Sequence, residues 1–125
     1  MKRIDPEGFT RAPHFAQAVS VPANSRLLYV AGQVAGDGFA IAPPEDFEEQ
    51  VERAFDRIST ILEAGGMALT DIVKVNGFIS DRANVATYRR VFLKRLGDTR
   101  PVSTLVIAEL IDPRLLVEIE VVAAT

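Results

Sequence analysis

Two carboxylates stand two residues apart in Leu115-Leu116-Val117-Glu118-Ile119-Glu120-Val121-Val122, a stretch otherwise composed for burial. A buried carboxylate is costly unless paired or hydrogen-bonded, and one that is neither is driven toward its neutral form. Such a group can take a proton from water or orient it for attack. The competing reading is structural: both carboxylates face a solvated rim, or pair with Lys74 or an arginine. Other reactive groups are sparse. His14 is the single histidine and has no evident partner to orient it. Ser20, Ser25, Ser59, Ser80 and Ser103 sit in no nucleophile-elbow pattern.

Composition narrows the chemistry further. The 125 residues contain no Cys and one His, which excludes zinc fingers, iron–sulfur clusters, thiol catalysis and disulfide scaffolds. Gly32, Gly36 and Gly38 make no phosphate loop, since no G-x-G-x-x-G lies between a strand and a helix and no Walker lysine follows. A net charge of −3 argues against a nucleic-acid groove. No apolar run approaches the roughly 18 residues that span a bilayer. Met1-Lys2-Arg3-Ile4-Asp5-Pro6 has no apolar stretch behind its basic residues, unlike a signal peptide, and a cytoplasmic protein is expected. At 48% apolar and 25% charged residues, one globular domain over residues 1–125 is expected.

The elements that must position these groups follow from periodicity. Residues 1–13 read as an arm with an edge segment, and 14–21 and 26–34 as strands joined through Pro22-Ala23-Asn24-Ser25, with a tight turn at Gly36-Asp37-Gly38. An antiparallel meander is the expected arrangement. Pro43-Pro44-Glu45-Asp46 opens a helix whose apolar face is Phe47, Val51, Ala54, Phe55, Ile58, Ile61 and Leu62, closed by Gly65-Gly66. Residues 71–79 form a strand. A second helix over about 83–96 buries Val85, Tyr88, Val91, Phe92 and Leu96, with Asp81 or Asn84 as its cap. Residues 101–110 and 115–123 are strands, the latter with Val117, Ile119 and Val121 on one face and Glu118, Glu120 and Val122 on the other. This order predicts an α+β layer structure, two helices on one face of a sheet. The other face stays apolar and uncovered, which predicts self-association.

The ordered series Pro13-His14-Phe15-Ala16-Gln17-Ala18, Ala31-Gly32-Gln33, Asp71-Ile72-Val73-Lys74-Val75 with Phe78 and Asp81, Ala86-Thr87-Tyr88 with Phe92, Arg100-Pro101, and Val117-Glu118-Ile119-Glu120-Val121 resembles the Rid/YjgF family of enamine and imine deaminases over nearly the whole chain. The resemblance implies a chorismate-mutase-like α+β fold with a mixed sheet. It also implies a homotrimer whose sheet faces form a central barrel-like core, with small-molecule pockets at the subunit interfaces. The implied chemistry is cofactor-free: water adds to an imine carbon and ammonia leaves. Glu118 then corresponds to the catalytic, water-orienting carboxylate, and Phe15, Ala31, Gly32, Tyr88 and Ser103 to substrate-binding positions.

The departures from that pattern matter. The deaminating branch of the family carries an arginine two residues after the Pro101 position, which grips the substrate carboxylate, and this chain has Ser103 there. A hydroxyl does not replace a guanidinium fork. Arg100, three residues away, should point to the opposite face if the strand already includes it, while Arg11, Arg26 and Arg114 stay open as substitutes. Ala31 replaces a serine, Phe15 a tyrosine, and Val85 an asparagine. The expected function is hydrolysis of an imine, enamine or related small molecule in an apolar pocket, with 2-imino acids disfavoured. The alternative is a non-catalytic metabolite-binding trimer or a chaperone-like interaction protein.

Overall fold

Alternation of apolar and polar residues at the C-terminal end becomes the central strand of a four-stranded mixed sheet. The structure is a computed structural model that describes residues 1–37 and 41–125. Along the chain run β1 (Lys2–Ile4), β2 (Ala18–Ser20), β3 (Leu27–Gln33), α1 (Phe47–Ala64), β4 (Ile72–Ile79), α2 (Val85–Leu96), β5 (Val102–Ile107) and β6 (Val117–Ala124). The large sheet has the order β3-β6-β4-β5. β4 and β5 are parallel, joined by the α2 crossover, and β6 is antiparallel to both β3 and β4.

Both helices pack on one face. Val117, Ile119, Val121 and Ala123 of β6 and Val75 and Ile79 of β4 meet Val51, Ala54, Phe55, Ile58 and Leu62 of α1 and Tyr88, Val91, Phe92 and Leu96 of α2. Asp46 caps α1, its carboxylate accepting from the Glu49 N–H at 3.0 Å. Gly66 takes the left-handed φ of +75° after this helix, while Gly65 does not. Asp81 accepts from Ala83 N–H in a 3₁₀ turn, Arg82–Asn84, that leads into α2; Asn84 makes no side-chain cap. The opposite sheet face has no layer over it among the described residues. Tyr29 is 74% exposed there, next to Leu27 on the β3 edge, and Val106 is exposed on the β5 edge. Large apolar side chains left open to water on a sheet face, here at its two edges, are the pattern expected of a surface that another copy covers.

The expected meander does not form. The strand expected over 14–21 shrinks to β2, which pairs with β1 in a separate two-stranded sheet, Lys2 opposite Ser20. β3 pairs instead with β6, Leu28 opposite Ala123. The reason lies at the two ends of residues 12–15, where a guanidinium takes the carbonyls: Arg100 Nε donates to Ala12 O at 3.0 Å and Nη2 to Phe15 O at 2.9 Å. A segment tied in this way has fewer acceptors left for a ladder. The turn expected at Gly36-Asp37-Gly38 runs into residues 38–40, which lie outside the described residues.

Candidate functional site

Glu118 is placed by the register of β6. It lies opposite Phe78 of β4 and therefore points, half-buried, into the uncovered face. Between Val30 and Gln33 strand β3 carries one residue more than β6, a bulge that contains Ala31 and Gly32. A methyl group on Gly32 would lie 2.8 Å from Glu118 Oε2, so only glycine leaves the carboxylate its present place. A cavity of about 200 Å3 lies beside it, lined by Glu118, Phe78 and the segment Ala108 to Ile111. Glu120, two residues on and on the same face, accepts from Asn76 Nδ2 at 2.9 Å. The structural reading therefore suits Glu120, although its partner is Asn76 and not Lys74.

Ser103 is placed by the parallel register of β5. It lies opposite Val75, whose side chain is in the core, so it points to the helix side. There a cavity of about 240 Å3 is lined by His14, Phe15, Tyr88, Arg89, Phe92, Ser103 and Leu105. The ring of His14 meets Phe15 edge-on at 5.0 Å and Phe92 at 6.1 Å. Partial burial, and then the charge of Arg89, push the imidazole below its ordinary pKa. Tyr88 contributes its ring to the cavity wall, but its hydroxyl is buried without a hydrogen-bond partner and sits where a Cβ on Gly77 would be. That burial pushes the phenol well above its ordinary range.

The residues expected to form one site thus fall into two groups on one chain. Phe15, Tyr88 and Ser103 line one cavity; Ala31, Gly32 and Glu118 sit on the other face of the sheet. Arg100 does not stand in for the absent arginine. It is buried, and its Nη2 donates to Asp5 Oδ2 at 2.7 Å as well as to Phe15 O. Arg26 donates to Gly65 O at 2.7 Å, and Arg114 pairs with Asp112, so neither reaches the Ser103 cavity. Sequence reading missed Arg89. Its signal was present, since it follows Tyr88 and lies three residues before Phe92, on neighbouring positions of α2. Among the described residues no group of three or more His, Cys, Asp or Glu could hold a metal ion, and no helix is long and apolar enough to cross a membrane.

Residues 9–125 match the family model described as Endoribonuclease L-PSP. A Mycobacterium tuberculosis structure described as a member of the YjgF/YER057c/UK114 family is 30% identical, covering 89% of this chain and 86% of that one, with a TM-score of 0.69. The chain belongs to the Rid/YjgF family. A Rid-family protein of Yersinia pestis, described as of unknown function, shares the fold at a TM-score of 0.84 and 24% identity, covering 99% of this chain and 98% of that one. Among curated Rid/YjgF relatives, a RutC family protein of Pyrococcus abyssi is 29% identical over 116 residues, 87% of this chain and 84% of its own. A Saccharomyces cerevisiae relative, described as mitochondrial, is 27% identical over 112 residues, 90% of this chain and 75% of its own.

Proposed function

We propose that this chain is a cofactor-free hydrolase of imines, enamines or related small molecules, acting as a single Rid-type domain in a homotrimer. Each site would form where the Glu118 half of one copy meets the Ser103 half of its neighbour. The observation that carries this reading is the division of the site: Glu118, packed against Gly32, points into an uncovered face, while the cavity beside Ser103 lies on the other side of the same sheet. A second copy laid over the uncovered face would bury Tyr29, Leu27 and Val106 and close the water-holding half against a substrate-holding half.

In this reading Glu118 positions a water and takes its proton as the oxygen adds to the imine carbon. The resulting carbinolamine carries hydroxyl and amine on one carbon. Forming that amine uses the proton held by Glu118, which passes to the imine nitrogen. Glu118 then takes the hydroxyl proton and delivers it to the amine. The C–N bond breaks, ammonia leaves, and a carbonyl compound remains. Gly32 leaves room for the Glu118 carboxylate, and Phe15 and Leu105 hold apolar parts of the substrate. The RNA cleavage named in the family description has less support in this chain, whose net charge is −3. Cytoplasmic placement belongs to the proposal.

One observation favours a second reading, a metabolite-binding trimer without turnover: Ser103 stands where the resemblance places the carboxylate-gripping arginine. The deciding experiment generates 2-iminopropionate and 2-iminobutyrate with an amino-acid oxidase and follows their hydrolysis against a buffer blank. Acceleration that disappears in Glu118→Gln, with the oligomer intact by sedimentation, supports the hydrolase. Binding of the ketone product without acceleration supports the second reading.

A further inference from the structure

Helix α2 carries four cations, and three of them are spent on α1. Arg90 pairs with Glu48, Lys94 with Glu52, and Arg95 with both Glu52 and Asp56. Arg89 has no ion pair or side-chain hydrogen bond among the described residues, and it faces the Ser103 cavity. The other residues lining that cavity are His14, three aromatic or aliphatic walls in Phe15, Phe92 and Leu105, the ring of Tyr88, and the Ser103 hydroxyl. No carboxylate lines it. An unpaired guanidinium beside a hydroxyl donor, over apolar walls, is a receptor for a small anion with a short apolar tail.

We propose that Arg89 is the specificity-determining residue of this cavity, binding the anionic group of a small organic acid with help from the Ser103 hydroxyl, while Phe15, Phe92 and Leu105 take its aliphatic part. The proposal rests on the reading of this cavity as the substrate half of the site, and it replaces the expectation of a substrate without a carboxylate. The placing of His14 in the same cavity agrees with it: burial first, and the charge of Arg89 second, push its imidazole below the ordinary pKa, so the guanidinium's charge is felt there.

The test titrates the full-length protein with 2-oxobutyrate and with its neutral amide, reading affinity by calorimetry and the His14 ring by NMR. The carboxylate should bind about tenfold or more tightly than the amide. Arg89→Ala should erase that preference and Arg89→Lys should keep part of it. The His14 pKa should rise when 2-oxobutyrate binds, and should also rise in free Arg89→Ala, a response that a merely structural role would not give. Equal binding of acid and amide, a preference that survives Arg89→Ala, or no binding of 2-oxobutyrate at millimolar concentration each overturns the proposal. Turnover is read separately through Glu118→Gln. An Arg89-dependent preference without turnover defeats only the hydrolase, and turnover without an anion preference defeats only the role of Arg89.

Discussion

Ser103 and Glu118 stand on opposite faces of one sheet, with β4 between their strands. Ser103 lies opposite Val75 and Glu118 opposite Phe78, three positions along the same strand, and an odd separation along a strand reverses the side-chain direction. The two side chains therefore cannot serve one small substrate within a single copy. If sites form between copies, two inactive variants should complement each other. Glu118→Gln spoils one half and Ser103→Trp fills the other. Refolded together in equal amounts, they should regain about a quarter of wild-type activity, because that share of interfaces in a closed ring joins two intact halves. Activity that stays at zero in the mixture, with mixed oligomers demonstrated, would place the whole site within one copy.

Gly32→Ala tests the carboxylate from its neighbour. The added methyl would sit 2.8 Å from Glu118 Oε2, and the obstructed group is the end of a flexible side chain, not backbone. The carboxylate should swing aside while the bulge persists. Turnover should fall about tenfold or more, as misplacement of a catalytic group does, with Tm nearly unchanged. A large loss of Tm with proportionate loss of activity would point to a structural role for Gly32 alone.

Helices and central strands were legible because their signals are local. The apolar spacing of α1 and the alternation of β6 follow from burial on one face, and the structure keeps both. Strand partners were less legible: β3 pairs with β6 about ninety residues away, and the carbonyls of Ala12 and Phe15 go to Arg100, so the local hairpin does not form. At the site, residue types were readable but sides were not. Glu118 and Ser103 stand out by type and by their place in the series, yet their separation appears only when the registers of β5 and β6 on β4 are known. Arg89 was read past because a cation on a helix surface is ordinarily solvated, and only the pairing of its three neighbours with α1 singles it out.

Gln50 is the buried polar residue that periodicity misses. It is fully buried within α1, donates from Nε2 to Pro44 O at 2.7 Å and Arg114 O at 2.9 Å, and accepts from Leu116 N–H at 2.9 Å. It ties the entry of α1 to the start of β6, the strand that carries Glu118. Gln50→Leu keeps the volume but strands two carbonyls and one N–H, and should destabilise the fold by about 3 kcal/mol. Chemical denaturation at fixed protein concentration measures this. A change near zero would mean that water replaces all three bonds.

Acid should loosen the N-terminal strap before the core. Arg100 takes a left-handed φ of +45°, a strained backbone for a residue with a side chain, and is held there by its bonds to Ala12, Phe15 and Asp5. The hydrogen bond from Arg100 lowers the Asp5 pKa, and Asp5 Oδ1 also accepts from Gln17 N–H at 3.2 Å. A carboxyl whose folded pKa is depressed adds stability above its unfolded value, about 4, and loses it as pH falls through the folded one. Between about pH 5 and 8 this pair should therefore leave stability unchanged. Below that window, hydrogen exchange in residues 5–17 should quicken while β4 and β6 stay protected, and Asp5→Asn should show the same release near neutral pH. Because this strap carries His14 and Phe15, its release should also weaken ligand binding at the Ser103 cavity. Exchange in residues 5–17 that follows the core at every pH would mean that the strap is held by β1 and β2 pairing and not by the Asp5–Arg100 contact.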